Sequence, residues 1–352
     1  MTEFFTWAES LPIKYVVLRG YQHFKEQYPA PGAKEDIDLL VEDRAINLIQ
    51  KKYGHYKKHH GTKCDIYDVT GAGIGGYLGT SYFPVTLSES TLNNRHKWND
   101  RFYVPNTQEH LLTLLYHIAY QKAEVSKIGL TNEKHSQESK YIDEINRLTA
   151  ELGISIPLTL NDIHAHLKRK GLAAPYEAMI KILENDFQHH VKSLFRALVC
   201  LENKGEMNLF VIRSSAFKKD ADQELIKNLK QQYQVLALKH IPWHQRYLRA
   251  RHMRGGKWRR GGYPAIAVVV YDPNPKPSAP DDREIHPYVF NSKQFAKRDW
   301  REWYTRHTGA KPSTNPIHST DNEAEAIGHL PFFFDESERA HIYEQLRKIR
   351  QA

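Results

Sequence analysis

Apolar and polar positions near the amino end of the chain follow a strand pattern twice. Tyr15-Val16-Val17-Leu18 is an apolar run that closes at Gly20, an amphipathic stretch follows, and the chain returns as Glu35-Asp36-Ile37-Asp38-Leu39-Leu40-Val41. Successive side chains on a strand point to opposite faces, so this spacing predicts Ile37 and Leu39 in a core with Asp36 and Asp38 projecting together on the other face. Residues 45–53 have a helical period, and Lys63-Cys64-Asp65-Ile66-Tyr67-Asp68-Val69 predicts a further strand. The run Gly71-Ala72-Gly73-Ile74-Gly75-Gly76 then breaks the pattern. It has the GxGxxG spacing, but Tyr77-Leu78-Gly79-Thr80 does not begin a helix, so a flexible loop near the site is expected rather than a dinucleotide fingerprint.

From Asn106 the period becomes helical. Asn106 and Glu109 have capping-box spacing, and Leu111, Leu112, Leu114, Leu115, Ile118 and Ala119 form one apolar face. Residues 140–152 predict a second helix ending at Gly153, Thr159 with Asp162 opens a third that stops at Gly171, and residues 175–202 predict a longer fourth. His117, His164 and His166 fall in these helices, where a satisfied histidine is the ordinary expectation. Beyond Met207 the predicted order is strand (209–213), helix (222–233), strand (235–238), strand (265–271) and an amphipathic helix (292–306) carrying Phe295, Ala296, Trp300 and Trp303. The Pro-rich residues 272–280 predict a loop. These breaks divide the chain into residues 1–105, 106–205 and 206–352.

Composition narrows the partners. A chain of 352 residues exceeds one ordinary domain, and 50 Lys and Arg against 41 Asp and Glu leave a formal charge of +9. That balance favours anions: nucleotides, polyphosphates, nucleic acid or acidic glycolipids. Basic residues concentrate at Arg246, Arg249, Arg251, Arg254, Lys257, Arg259 and Arg260, beside Gly255 and Gly256, as an anion-binding loop, a nucleic-acid patch or a solvated charged loop. Cys64 and Cys200 make neither a disulfide framework nor a zinc spacing, which fits a reducing cytoplasm. No apolar run is long enough to span a membrane and no leader is present, so a soluble, cytoplasmic protein without a membrane span is expected.

Two carboxylates on one strand face make a candidate divalent-metal site. Their hard oxygens suit Mg²⁺ (or Mn²⁺), which also binds substrate phosphates, and Gly20 lets a triphosphate approach the backbone closely. Strand, Gly20, amphipathic segment and Asp36-Ile37-Asp38 come in an order that resembles the nucleotidyltransferase superfamily, although Tyr21 stands where that family has a second small residue. The resemblance spans roughly residues 12–200. It implies a third carboxylate on a following strand, for which Asp65 is chosen and Asp68 kept in reserve. Lys122 and Lys127 are candidate phosphate contacts or solvated lysines. Tyr116-His117, Tyr120 and Lys122, after Tyr103-Val104-Pro105, faintly resemble nucleotidyltransferase-like proteins of bacterial surface-polysaccharide assembly.

The carboxyl-terminal part carries a second constellation. Asn315-Pro316-Ile317-His318-Ser319-Thr320-Asp321-Asn322, followed by Ala326 and Leu330-Pro331-Phe332-Phe333-Phe334, resembles the active-site segment of nucleoside diphosphate kinases, Asn-x-x-His-Gly-Ser-Asp-Ser. The resemblance covers about residues 207–350. It implies that His318 is a phosphate-accepting nucleophile, that Arg306 clamps a phosphate and that Arg213 replaces the family's lysine. Ser319 and Thr320 depart from the pattern, and His329 stands where the family has the glutamate that orients the histidine. Glu323 and Glu325 are available substitutes. Without chemistry, the histidine would lie in a surface loop that caps the next helix through Ser319 or Thr320.

The expected fold is therefore α+β and multidomain: a nucleotidyltransferase-like mixed sheet, a helical module and a ferredoxin-like, nucleoside diphosphate kinase-like domain. The expected function is metal-dependent nucleotidyl or phosphoryl transfer from a nucleoside triphosphate to an anionic acceptor (glycan, nucleic acid or protein). Asp36, Asp38 and Asp65 would hold the metal, with Gly20 and Lys122 at the phosphates. The alternatives are a phosphohistidine relay through His318 and a basic nucleic-acid-binding protein with degenerate enzyme folds.

Overall fold

A computed structural model describes residues 2–23, 37–53, 64–72, 75–131, 139–185, 193–247 and 260–351. The chain is a mixed α+β protein with many helices and, among the described residues, three small sheets. It divides into two compact units, Met1–Ile182 and Leu183–Ala352.

The first unit is built on strands β1 (Tyr15–Val17), β2 (Ile37–Val41) and β3 (Cys64–Asp68), with β1 antiparallel and β3 parallel to β2. Ile37, Leu39 and Val41 pack with Tyr15, Val17, Cys64 and Ile66 on one face. Helices α1 (Thr2–Ser10) and α2 (Asp43–Tyr53) cover that face through Phe5, Ala8, Ala45, Ile46 and Ile49. Helix α3 (Val85–Asn93) packs against β1 and β2, and a hairpin of β4 (His96–Trp98) and β5 (Phe102–Val104) turns through Asn99 and Asp100, both at positive φ. Asn and Asp tolerate that conformation better than most side chains, which suits the tight three-residue connection 99–101.

Helix α4 (Thr107–Tyr116) starts at an Asn106 cap whose side chain accepts from the Glu109 N–H, then continues as a π-helical segment, His117–Lys122. Helices α5 (Ile142–Glu151) and α6 (Leu160–Arg169) pack against it, with Thr159 capping α6 by accepting from the Asp162 N–H. The helix expected over 175–202 is not continuous: among the described residues α7 (Tyr176–Asn185) and α8 (Leu194–Leu201) are separate. Ser193 is extended and caps α8 by accepting from the Arg196 N–H, so a new helix begins there.

The second unit carries β6 (Glu206–Arg213), α9 (Ala221–Gln232), β7 (Gln234–His240), β8 (Pro264–Asp272), α10 (Pro280–Ile285), α11 (Ala296–Thr308), β9 (Ile317–Ser319), α12 (Glu323–His329) and α13 (Glu336–Gln351). The sheet order is β7-β8-β6-β9 with every pair antiparallel, so β6 and β8 are central and β9 is an edge. Leaving out α10, this is a βαββαβ split arrangement. Phe210, Ile212, Ile266, Val268 and Val270 form a core with Leu225 and Leu229 of α9 and Trp300 of α11. Both central strands are buried along their whole length, which accounts for their almost continuous apolar sequence.

One buried acid in this sheet has a thermodynamic consequence. Glu206 is fully buried, and burial, followed by the nearby Glu323, pushes it up to about 8 although Asn208 and Asn291 act in the opposite direction. The folded state then keeps a proton that the unfolded chain releases, so this stability is complete below about pH 4.5 and is lost as pH rises towards 8. Glu206→Gln should flatten the fall in stability between pH 5 and 8 and stabilise the second unit at pH 8 by on the order of 1–3 kcal/mol. Denaturant melts across that range measure it; an unchanged slope would mean that Glu206 is ionised when folded.

Candidate functional site

In the first unit β2 and β3 bring two carboxylates together. Asp38 and Asp65 are direct partners in the parallel register, so both project from the face opposite Ile37 and Leu39. Both are half-buried. Asp36 lies outside the described residues. Among the described residues no three His, Cys, Asp or Glu side chains form a cluster fit for a metal. Two carboxylates on one face nevertheless match what Mg²⁺ asks of a protein when substrate phosphates supply further oxygens.

Around these acids the fold assembles a polar cluster that sequence patterns did not reveal. Arg19, two residues after the end of β1, pairs with Asp38 at 2.8 Å and donates to the Tyr82 hydroxyl at 2.5 Å. The Tyr82 hydroxyl lies 3.1 Å from His117 Nδ1, the Gln121 side-chain oxygen 2.5 Å from the same nitrogen, and the Tyr141 hydroxyl 3.3 Å from His117 Nε2. Tyr67, on the same face of β3 as Asp65, stacks on Tyr82 with ring centroids 3.6 Å apart. Burial, then the charge of Arg19, holds His117 well below the usual histidine range, and Lys122 and Lys140 push it the same way. It is therefore neutral at pH 7 and can accept a proton at only one nitrogen. Lys122 ends the π-helical segment, a distortion of a helix that is frequent at functional sites.

Gly20 has φ +73°, and among the described residues nothing lies within 4 Å of the position where a Cβ would stand. The glycine-rich run differs from the expected flexible loop. A Cβ on Gly71 would lie 2.4 Å from the Ser81 nitrogen and one on Gly75 would lie 2.2 Å from an Asp68 oxygen, so close packing rather than mobility requires these glycines. Residues 73 and 74 lie outside the described residues. Asp68, the reserve carboxylate, is buried and accepts from the Gly71 N–H at 2.5 Å, which makes it a brace for this turn.

The second unit has a cationic site at its edge strand. His318 pairs with Val211 across β6 and β9, and Arg213 lies two residues further along β6. Helix α11 contributes two more cations. Lys297 donates to the Ser319 hydroxyl at 2.7 Å, and Arg301 donates twice to the Ile317 carbonyl, at 3.1 and 2.8 Å. Desolvation, then Lys297, Arg213, His329 and Arg301, holds His318 well below the usual histidine range. Lys297 is itself lowered to about 8 and Arg301 to about 10, in both cases first by burial. Among the described residues, His318 Nε2, the Asn315 side-chain oxygen and the Ser215 hydroxyl are buried without hydrogen-bond partners.

Arg306, expected as the phosphate clamp, is exposed in the last turn of α11. Arg301 and Lys297 reach β9 instead, because helical periodicity sets them near Trp300 on the sheet-facing side. His329 is buried and close enough to lower His318. Asn322, rather than Ser319 or Thr320, caps α12 by accepting from the Glu325 N–H. Of the basic stretch, Arg246 and Arg260 are described and residues 248–259 are not.

No family model matches the chain and no curated protein matches it. Among solved structures it has a partial similarity to an orthorhombic crystal form of the Aquifex aeolicus nucleoside diphosphate kinase, at 18% identity over 38% of this chain and 98% of that one, with a TM-score of 0.23. Among the described residues no helix is long and apolar enough to cross a membrane.

Proposed function

We propose that the protein is a nucleoside-triphosphate-dependent transferase whose catalytic centre lies in the first unit, with Asp38 and Asp65 as ligands of Mg²⁺ or Mn²⁺. The observation that carries this is their register: two half-buried carboxylates side by side on one sheet face, with the open Gly20 turn following β1. Asp36 joins them as a candidate by its spacing in the sequence. When bound, the metal would neutralise phosphate charge and favour in-line displacement at phosphorus. The residues themselves would hold the metal, bind the phosphates and fix their orientation. The finer nucleotidyltransferase assignment, the place in surface-polysaccharide assembly and an anionic acceptor belong to this proposal. Incubation with ATP labelled at the α or the γ phosphorus tests it. Label transferred from the α position supports nucleotidyl transfer, and absence of transfer from either position with Mg²⁺ and Mn²⁺ across candidate acceptors counts against the proposal.

A second function is favoured by one specific observation: a His318 Nε2 with no hydrogen-bond partner among the described residues, beside Lys297, Arg301 and Arg213. Burial that depresses three cations and leaves polar atoms unmatched suits a site completed by an anion. Phosphoryl relay through His318, in a ferredoxin-like unit resembling nucleoside diphosphate kinases, is then the alternative. Because Lys297 titrates near pH 8, metal-free pyrophosphate should bind this unit about tenfold more weakly at pH 9.5 than at pH 7. The charged groups beside Lys297 that set this balance are Asp321, Arg301, Glu325 and Arg298. Calorimetry with Lys297→Met should remove the pH dependence. Acid-labile label on His318 after incubation with γ-labelled ATP would separate covalent relay from simple binding.

A further inference from the structure

Arg19 occupies a position that sequence spacing did not single out. It is the last residue before Gly20, and its guanidinium bridges the Asp38 carboxylate at 2.8 Å and the Tyr82 hydroxyl at 2.5 Å. The bridge is partly open to solvent, with 18% of the Arg19 side chain and 16% of the Asp38 side chain exposed. Behind it, Tyr82 is anchored twice: its hydroxyl meets His117, and its backbone carbonyl accepts from the Gln121 side chain at 2.6 Å. Tyr82 is fully desolvated and stays protonated, so its hydroxyl has one proton to give and still accepts from Arg19.

We propose that Arg19 is a triphosphate-binding residue that changes partners as the site loads. It pairs with Asp38 until nucleotide and metal enter, and then turns to phosphate oxygens. The proposal rests on the assignment of Asp38 and Asp65 as metal ligands. A divalent cation and a guanidinium compete for the same carboxylate, and the planar fork of Arg matches phosphate as well as it matches carboxylate. The phosphate needs only to reach the neighbouring residue, where Gly20 leaves the backbone uncovered. Tyr82 would keep the fork aimed along this path, held through His117 and Gln121 on the π-helical segment.

Competition for Asp38 together with attraction to phosphate gives Arg19 substitutions opposite effects on the two ligands. In the full chain, Arg19→Gln should bind Mn²⁺ alone about tenfold more tightly and ATP with Mn²⁺ about tenfold more weakly. Arg19→Lys, which keeps the charge but not the fork, should fall between wild type and Gln for both ligands and guards against misfolding of the Gln variant. Mn²⁺ binding followed by electron paramagnetic resonance and ATP binding followed by calorimetry provide the readouts, without reference to turnover. Weakening of both ligands, or unchanged ATP affinity, would overturn the exchange. Asp38→Asn separates the two levels of the argument. If it removes Mn²⁺ binding while Arg19→Gln moves neither ligand, only the exchange fails; if it leaves Mn²⁺ and ATP binding intact, the metal-site assignment fails and the exchange with it.

Discussion

Replacing Asp38 by Asn should lower transfer from a nucleoside triphosphate by about a hundred- to a thousandfold, the size expected when one preorganised charged group is taken from phosphoryl-transfer chemistry. Asn keeps the shape of the side chain, and Leu39 and Leu40 on either side of β2 keep the strand in its core, so the fold should survive. Asp65→Asn should cost a comparable factor. The double variant should lose little beyond either single one, because both carboxylates act on one metal and the second substitution acts on a site already disabled. Label transfer measured beside circular dichroism separates this from unfolding. Folded single variants with full activity would remove the first unit from the chemistry, and loss on His318→Ala would then transfer the catalytic role to the second.

The strands around Asp38 were legible because they alternate, and those around Phe210 and Val268 because fully buried strands read as continuous apolar runs. Caps at Asn106 and Thr159 were legible because a side-chain acceptor and a residue three positions later act locally. What the pattern could not supply was contact between distant segments. Arg19, Tyr82, His117 and Tyr141 meet only when β1, the turn before α3 and the π-helical segment converge, and no periodic signal marks such a meeting. Arg306 was singled out as the phosphate clamp for a related reason. Distance along the chain from the histidine motif was used where the helical phase of α11 decides, and that phase turns Arg301 towards the Ile317 carbonyl. The glycine run misled because a requirement for close packing and a requirement for flexibility have the same composition.

Removal of Arg350 should destabilise the second unit by about 3–5 kcal/mol, the cost of leaving a buried charge without its partner. Arg350 Nη2 donates to both oxygens of Glu323 at 2.9 and 2.7 Å, and its Nε donates to the Lys204 carbonyl at 2.9 Å. Glu323 is only 1% exposed, and it also accepts from the Met207 N–H at 2.7 Å, which ties α12 to the start of β6. Next to it lies Glu206, already protonated near neutrality partly because of the Glu323 charge. Without the guanidinium, the buried Glu323 carboxylate is left uncompensated. Arg350→Met keeps the apolar stem but loses the guanidinium that lies over the Tyr271 ring, and pairing it with Glu323→Gln should recover much of the loss by removing the charge that was left behind. Hydrogen exchange of the β6 amides reports this unit selectively. Equal protection in wild type and Arg350→Met at pH 8 would show that the pair contributes nothing to holding α12 on the sheet, and recovery absent from the double variant would place the loss in packing rather than in charge.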